Sequence, residues 1–373
     1  MGEPSRLTLA ALDAGYPTWM PDSKEILFSA RGSLWRLVVP GESTPARLPF
    51  VGEDGLMPVV SRPQPGRPPR LVYVRSFLDY NIWRVETSAP GATASSPPVV
   101  SISSTRGDYH PELSPDGRRV ALGSDRSGEP EIWLADPDGS NAVQLTSGAT
   151  GSGYPRWSPD GERIAYIANR EGQLEVYVIP AAGGKPRNLT SHPAMDAWPS
   201  YSRDGQGIYF ISDRTGERQI WRIPASGGDA VQVTNDLGHS WDGRRTAFES
   251  PDGAYLYYTQ AIDRPSPLWR LPTSGGVPVK LLEGVVLANF VVLEGGIYYF
   301  DRPSGQGGVY YIDQPSGETR LQYFDFANRR STMVARNLGN AFIGLTASPD
   351  GRTILYTRVD SSVDDLMLVE NFR

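Results

Sequence analysis

Apolar and polar positions alternate along most of the chain in short runs, as in RIAYIAN and LEVYVIP at 163–169 and 174–180. Period two is the strand signature, and each run is bounded by Gly, Pro, Asp, Asn or Ser, so the pattern predicts short strands joined by tight turns. The runs come in a fixed order. An aromatic residue or His precedes a Pro and a short strand, and a four-residue turn follows. Then come an alternating strand, a polar loop, a strand centred on Trp or Tyr, a Gly-rich turn and a short strand ending in Leu-Thr or Val-Thr. The stretch 154–190, YPRWSPDGERIAYIANREGQLEVYVIPAAGGKPRNLT, shows one whole unit.

The turn itself is spelled SPDG at 114–117, 158–161, 250–253 and 348–351, with MPDS at 20–23 and SRDG at 202–205. Pro presets φ for the first central position, Asp bonds its own backbone nearby and Gly accepts positive φ, so the phrase closes a hairpin. Successive turn serines stand 44, 44 and 48 positions apart, from Ser114 to Ser158, Ser202 and Ser250. A period of roughly 40–50 residues with four strands per copy predicts a propeller.

Trp35, Trp83, Trp133, Tyr177, Trp221, Trp269, Tyr323 and Met367 mark the third strand of eight such units. The expected fold is therefore all-β, an eight-bladed propeller of four-stranded antiparallel blades forming a single domain over 1–373. The blades fall at about 15–50, 55–104, 108–148, 153–191, 197–235, 243–283, 285–337 and 341–373. The second unit carries SRPQPGRPPR in place of the turn, and the seventh has an extra hairpin candidate, GVYYID at 308–313. The last unit supplies three strands. The segment RLTLA at 6–10 is the expected fourth, so that the N- and C-terminal segments pair and close the ring.

SPDG, the segments SDRSGEPEIW and SDRTGERQIW, and the Gly-Gly turns at 183–184, 227–228 and 275–276 together resemble the PD40 repeat of TolB-like propellers. TolB-like propellers have six blades, and the eight units counted here depart from that. The ending DSSVDDLMLVENFR is similar to the close of propellers that follow the winged-helix domain of CadC-like bacterial transcriptional regulators. The resemblance implies a sensory or interaction domain with a DNA-binding domain upstream, or a stand-alone envelope scaffold that binds another protein.

Composition narrows the chemistry. A net charge of −6 gives no broad basic surface, which argues against direct nucleic-acid contact by this segment. With no cysteine there is no disulfide, thiolate nucleophile or sulfur-based zinc site. The stretch GVVLANFVVLEGGIYYF at 284–300 is interrupted by Glu294 and a Gly pair and reads as two strands, not a membrane span. The amino end lacks a signal-peptide pattern, which suits cytoplasm, or periplasm after trimming or upstream anchoring. No G-x-S-x-G elbow is present. Three scattered histidines, His110, His192 and His239, make no metal cluster, so no metal or cofactor is expected.

The candidate ligand site is the channel mouth. His110 occupies the place held in other units by Tyr16, Tyr154 and Trp198, each just before a Pro at the start of the innermost strand. These rings either pack between neighbouring blades or stack on a ligand. Unit-specific residues join them: Asp108, Tyr109, Asp196, and His239, Trp241 and Asp242 of HSWDG. An arginine recurs in the loop after the second strand: Arg31, Arg75, Arg126, Arg170, Arg214, Arg264, Arg302 and Arg358. Such guanidinium groups either serve the blade, by bonding a nearby Asp or carbonyl, or gather an anion at the mouth. The expected ligand is a peptide, a protein, or a small anion or glycan. A glycan lyase using Tyr109, His110 and the arginines is the catalytic alternative.

Overall fold

The computed structural model describes Leu7 and residues 14–372, apart from 31, 40–43, 50, 52–54, 63, 65–66, 150, 171, 236–246, 261–264, 287–288 and 303–317. All its described elements are β-strands. They divide into two compact units: unit 1 is 1–78 with 361–373, and unit 2 is 79–360.

Unit 1 contains a four-stranded antiparallel sheet in chain order, β1 (Gly15–Trp19), β2 (Glu25–Ala30), β3 (Ser33–Val38) and β4 (Ala46–Arg47). A second sheet takes β5 (Gly55–Val60), residues 71–78 of the long strand β6 (Leu71–Glu86), and residues 361–369 of the final strand. Leu27, Leu34, Leu48, Val51, Leu71, Tyr73 and Phe372 form the core of this unit. These residues are the inward half of the period-two pattern, and burying each contributes roughly 1.5–3 kcal/mol.

In unit 2, residues 79–86 of β6 pair with β7 (Val99–Ile102). Five four-stranded sheets follow, each counted from its innermost strand. They are β8 (Asp108–Leu113), β9 (Val120–Ser124), β10 (Glu131–Ala135) and β11 (Val143–Gln144); then β12 (Ser152–Trp157), β13 (Arg163–Asn169), β14 (Leu174–Pro180) and β15 (Arg187–Asn188). Next come β16 (Asp196–Tyr201), β17 (Gly207–Ser212), β18 (Gln219–Pro224) and β19 (Val231–Gln232), and β20 (Ala247–Glu249), β21 (Tyr255–Thr259), β22 (Ser266–Pro272) and β23 (Val279–Val285). The fifth is β24 (Phe290–Val292), β25 (Gly296–Asp301), β26 (Arg320–Asp325) and β27 (Arg330–Ala335). The sixth sheet of unit 2 combines late and early chain: β28 (Asn340–Ala347), residues 353–360 of β29 (Thr353–Val369), then β6 and β7. Thr87 N donates to Arg352 O at 2.9 Å, and Asn81 Nδ2 and Trp83 Nε1 donate to Asp360 Oδ2 at 2.9 and 3.0 Å.

The six innermost strands close a cycle, and contacts mark each step of it. Leu113 N donates to Thr346 Oγ1, linking β8 to β28, and Trp157 Nε1 donates to Glu112 O, linking β12 to β8. The Tyr154 and Trp198 rings meet across β12 and β16, and Ser200 Oγ donates to Ala247 O across β16 and β20. Phe248 meets Phe290 across β20 and β24, and Asn289, at the head of β24, donates to Phe342 O and accepts from Gly344 N. The cores lie between consecutive sheets: Ile132 and Leu134 face Ile164, Tyr166 and Ile179, while Val176, Val178 and Leu189 face Ile208, Phe210 and Ile223.

The recurring turn is a hydrogen-bonded device. In the first copy, Ser114 Oγ donates to Asp116 Oδ1 at 2.6 Å and accepts from Arg119 N, while Asp116 Oδ1 accepts from Arg118 N. The same set recurs at Ser158, Ser202, Ser250 and Ser348. The turns also touch. A Cβ placed on Gly117 would stand 3.5 Å from Pro349 Cδ, one on Gly161 3.8 Å from Pro115 Cδ, and one on Gly205 3.6 Å from Pro159 Cδ. Thus in these three places the Pro of one turn seats the Gly of the next.

The Leu-Thr endings have a matching partner at the start of each third strand. Thr146 Oγ1 donates to Glu131 Oε2 at 2.5 Å, Thr190 Oγ1 to Glu175, and Thr234 Oγ1 to Gln219 Oε1 at 2.8 Å. Apart from the half-buried Thr190 these side chains are buried, and all are hydrogen-bonded, so the outermost strand of each of these three sheets is pinned by a polar clamp.

The fold is an all-β propeller fold of four-stranded antiparallel sheets, and all eight strand modules are present. The first lies in unit 1 and the third to seventh lie in unit 2, while the second and eighth are divided between the units and together supply the sixth sheet of the ring. The boundaries expected for the second and eighth modules, 55–104 and 341–373, are redrawn. β6 and β29 run 16 and 17 residues and pass from one unit into the other, so each serves two sheets. Unit 2 is closed by an early and a late segment, as expected in kind; the segment proposed for that role, 6–10, lies outside the described residues except for Leu7. The hairpin candidate at 308–313 lies outside them as well.

Candidate functional site

The inner strands β8, β12 and β16 have two chemically different ends. At the start of each, an aromatic-Pro or His-Pro pair makes a bulge. The register of β8 against β9 shifts between Tyr109 and Glu112, that of β12 between Gly153 and Arg156, and that of β16 between Ala197 and Ser200. His110, Tyr154 and Trp198 there adopt φ of 53°, 53° and 52°. A left-handed backbone costs a bulky residue about 1–2 kcal/mol, and the following Pro both disfavours the right-handed alternative and removes a ladder donor. The bulge re-aims the ring out of the strand alternation.

The rings consequently meet. His110 stacks on Tyr154 at 3.8 Å between centroids, and Tyr154 meets Trp198 edge-on at 6.1 Å. Tyr109 reaches His110 at 5.0 Å and Tyr80 at 5.9 Å, and Tyr80 reaches Phe342 at 5.1 Å. A continuous aromatic belt therefore crosses four sheets. Gly344 stands at the equivalent bulge in β28 with φ of 121°, and a Cβ there would lie 2.9 Å from His110 Cα and 2.6 Å from Thr357 Oγ1. Thr357 Oγ1 accepts the His110 backbone N–H at 3.0 Å, so glycine at 344 sets the position of the belt.

Beneath the belt, Asp108 and Asp196 are fully buried and paired. Arg126 Nη2 lies 2.5 Å from Asp108 Oδ1 and Arg214 Nη2 lies 2.7 Å from Asp196 Oδ2. Both guanidinium groups also bond a serine, Ser124 or Ser212, and lie over a tryptophan, Trp133 at 4.9 Å or Trp221 at 4.7 Å. Arg170 donates to Ser147 O and covers Tyr177; Arg358 pairs with Asp360 and covers Trp83. These arginines make blade contacts. Arg31 and Arg264 lie outside the described residues.

Of the residues singled out in the sequence, Asp108, Tyr109, His110, Tyr154, Asp196, Trp198, Arg126, Arg170 and Arg214 all lie in unit 2. Tyr16 does not: it belongs to unit 1, where it is 55% exposed. His239 and Trp241 lie outside the described residues.

The opposite end of the inner strands was not anticipated. There a cavity of about 540 Å³ is lined by residues of all six, beside the recurring turns. Glu112, Arg156, Ser200, Phe248 and Thr346 each stand two positions before a turn serine, and Glu294 stands at the rim. Glu112 Oε2 pairs with Arg156 Nη1 at 2.7 Å, and Arg156 lies over Phe248 at 4.9 Å. Burial pushes the Glu112 carboxyl up from its ordinary value, and the Arg156 guanidinium pulls against that shift. Glu249 accepts from Tyr209 OH at 2.5 Å and from Arg203 N at 2.7 Å. Burial, with the Glu249 carboxylate beside it, raises the Tyr209 phenol. One signal marked this cavity in the sequence. The position two before each turn changes identity from copy to copy while the turn stays fixed.

Chemically the cavity offers carboxylates, guanidinium groups and aromatic faces. Among the described residues no group of three or more His, Asp or Glu is placed to hold a metal ion. No helix of the described residues is long and apolar enough to cross a membrane.

Comparison with known proteins agrees with this architecture. Residues 99–270 match the family described as the TolB beta propeller domain, PD40. A putative TolB from Agrobacterium tumefaciens is similar in structure with a TM-score of 0.59 at 19% identity, covering 76% of this chain and 99% of its own. TolB from Acinetobacter baumannii is similar with a TM-score of 0.50 at 18% identity, covering 77% of this chain and 65% of its own. An uncharacterized protein of Agrobacterium fabrum is 25% identical across 36% of this chain, and the chain spans 58% of that relative's length. The likeness to the two solved structures is one of fold. The similarity to CadC-like regulators finds no counterpart among these relatives.

Proposed function

We propose that the chain is a non-catalytic binding propeller that seats an extended peptide segment of a partner protein in the cavity at the turn end of unit 2. The observation that carries this reading is the division of labour along the inner strands. Residues that build the turns repeat, whereas the cavity-lining residue two positions before each turn serine differs in every copy, as a surface shaped for one ligand does. Three carboxylates, Glu112, Glu249 and Glu294, and two guanidinium groups, Arg156 and Arg203, line it together with apolar residues, which suits the mixed donors and acceptors of a peptide better than a uniform anion. The TolB-like repeat matched over 99–270 and the absence of a nucleophile elbow from the sequence support binding over hydrolysis. A glycan lyase needs an acid–base pair over a sugar, and the arginines considered for it are engaged by blade contacts.

The test is a displayed peptide library selected against the full chain, followed by calorimetry on the recovered sequences. Glu294→Arg, an exposed change at the cavity rim, is expected to weaken selected peptides at least tenfold, about 1.4 kcal/mol. Selected peptides that bind the variant and the parent alike would contradict the assignment.

A finer reading makes the propeller the sensory end of a bacterial transcriptional regulator. It is supported by the ending DSSVDDLMLVENFR, whose residues 361–369 extend β29 in unit 1. Reading the coding sequence upstream of Met1 tests it: a winged helix there sustains the reading, and its absence removes it in favour of a stand-alone scaffold.

A further inference from the structure

The gap between the sheet of β12 to β15 and the sheet of β16 to β19 is bridged by one side chain. Arg187 on β15 donates from Nη2 to Ala225 O at 2.6 Å and from Nη1 to Ser226 O at 3.0 Å. Two arms of the guanidinium fork thus engage consecutive carbonyls in the turn after β18. The bridge fills its gap: a Cβ on Gly227 would stand 2.9 Å from Arg187 Nη1, and Ala225 is buried.

The preceding gap, between the sheet of β8 to β11 and that of β12 to β15, has the same backbone and lacks this bridge. Val143 holds the place of Arg187, since it stands opposite Leu134 as Arg187 stands opposite Val178. It is short, apolar and 59% exposed. Ala181 and Ala182 hold the places of Ala225 and Ser226, in a turn closed by the same bonds. Ala181 N donates to Glu162 O and Gly183 N to Pro180 O, as Ala225 N does to Gln206 O and Gly227 N to Pro224 O. Among the described residues neither Ala181 O nor Ala182 O accepts a hydrogen bond, and a Cβ on Gly183 would meet nothing within 4 Å. A pocket of about 310 Å³ occupies this gap, lined by both alanines, Trp157, Asp116, Asp160 and Arg119.

The charges of the lining admit a guanidinium group despite Arg119. The same set recurs at the bridged gap as Asp160, Asp204 and Arg163, with Tyr201 in the place of Trp157. Burial raises the Tyr201 phenol there, and Arg163 and Arg187 both pull against that shift, so the two guanidinium groups share one neighbourhood. Two carbonyls without a donor, in a space whose counterpart is filled by an arginine, are complementary to the same fork arriving from another chain.

We propose that this pocket binds the guanidinium group of an arginine side chain from a partner, which takes the position that Arg187 holds at the next gap and donates to Ala181 O and Ala182 O. The pocket shares Ser114, Pro115 and Trp157 with the cavity at the turn end, so an arginine of a peptide seated in that cavity reaches it. For the carrier of the side chain the inference rests on the peptide reading; the chemistry of the pocket does not.

The probe is N-acetyl-arginine amide, titrated into the full chain at constant ionic strength and followed by saturation-transfer NMR, with N-acetyl-citrulline amide as its uncharged isostere. The arginine compound is expected to bind saturably, at least tenfold more tightly than the citrulline compound. Val143→Arg, at an exposed position, provides the bridge from within and is expected to weaken the arginine compound at least tenfold. Arg187→Val is expected to open the next gap and add a second site of the same kind. No saturation, equal binding of the citrulline compound, unaltered affinity in a folded Val143→Arg protein, or no added site in a folded Arg187→Val protein would overturn the proposal. Arginine binding with these properties in a chain that selects no peptide would sustain the pocket and count against the peptide reading alone.

Discussion

Trp19 in unit 1 and Trp157 in unit 2 occupy the same place in their modules, one residue before the turn. Trp157 is 8% exposed and its indole N–H bonds the neighbouring sheet at Glu112 O; Trp19 is 53% exposed. Tyr16 and Trp198, at equivalent bulges with nearly the same positive φ, differ in the same sense, 55% against 8%. The local backbone is therefore a property of the module, while burial is conferred by the next sheet in the ring. Unit 1 makes the same point through its turn, where Met20 and Ser23 stand for the usual Ser and Gly. Met20 packs into the core of unit 1 and donates no hydroxyl to the turn.

This contrast can be broken most forcefully at the ring's core. Phe210→Ala, between two sheets of unit 2, is expected to cost about 3–5 kcal/mol in chemical denaturation. Trp19→Ala, although it removes a larger ring, is expected to cost within about 0.5 kcal/mol. Similar losses for both would show that the ring does not confer the burial. Arg214→Ala is expected to cost about 3–5 kcal/mol, because it strands the buried Asp196 carboxylate. A folded Arg214→Ala protein of unaltered stability would instead place that arginine in ligand binding.

Gly344→Ala comes next. The strained φ alone costs about 1–3 kcal/mol, and the added methyl group collides with the His110 backbone. An unchanged melting temperature and unchanged tryptophan fluorescence would mean that the contact between β28 and β8 is looser than described.

The smallest single effects belong to the turns. Ser158→Ala removes one hydroxyl and is expected to cost about 1 kcal/mol. Acting together, the turns set an acid limit. Asp116, Asp160, Asp204, Asp252 and Asp350 are held below 3.8, first by the serine hydroxyl and then by a backbone N–H. A carboxyl whose folded value lies below its unfolded value contributes stability above the unfolded value and loses it as pH falls through the folded one. Stability of unit 2 should accordingly drop below pH 3.8, and replacing the turn serines should flatten that drop. A pH profile that is insensitive to those serines would contradict the turn mechanism.

Much of this was written locally. SPDG, the aromatic-Pro pair and the Leu-Thr ending each describe a few adjacent residues, and each is found as a turn, a bulge and a clamp. Strand partnership was not local. The pairing of β6 with β29 joins residues some 280 positions apart and depends on two long strands finding each other, which no window of alternation records. The aromatic belt was partly visible because its members share a position in the repeat; Tyr80 and Phe342, which extend it, do not. The cavity residues lacked a recurring identity, and attention to what repeats passed over Glu112 and Arg156.

In the ring of six sheets that forms unit 2, the sheet begun by β28 adjoins the one begun by β8. The chain lacks cysteine, so paired spin labels can be placed at will on the exposed turn tips. Labels at Asp116 and Asp350 should give the same short distance as labels at Asp116 and Asp160, since both pairs sit on neighbouring turns. A clearly longer distance for Asp116 and Asp350 would mean that other sheets intervene, and the ring as described would be wrong.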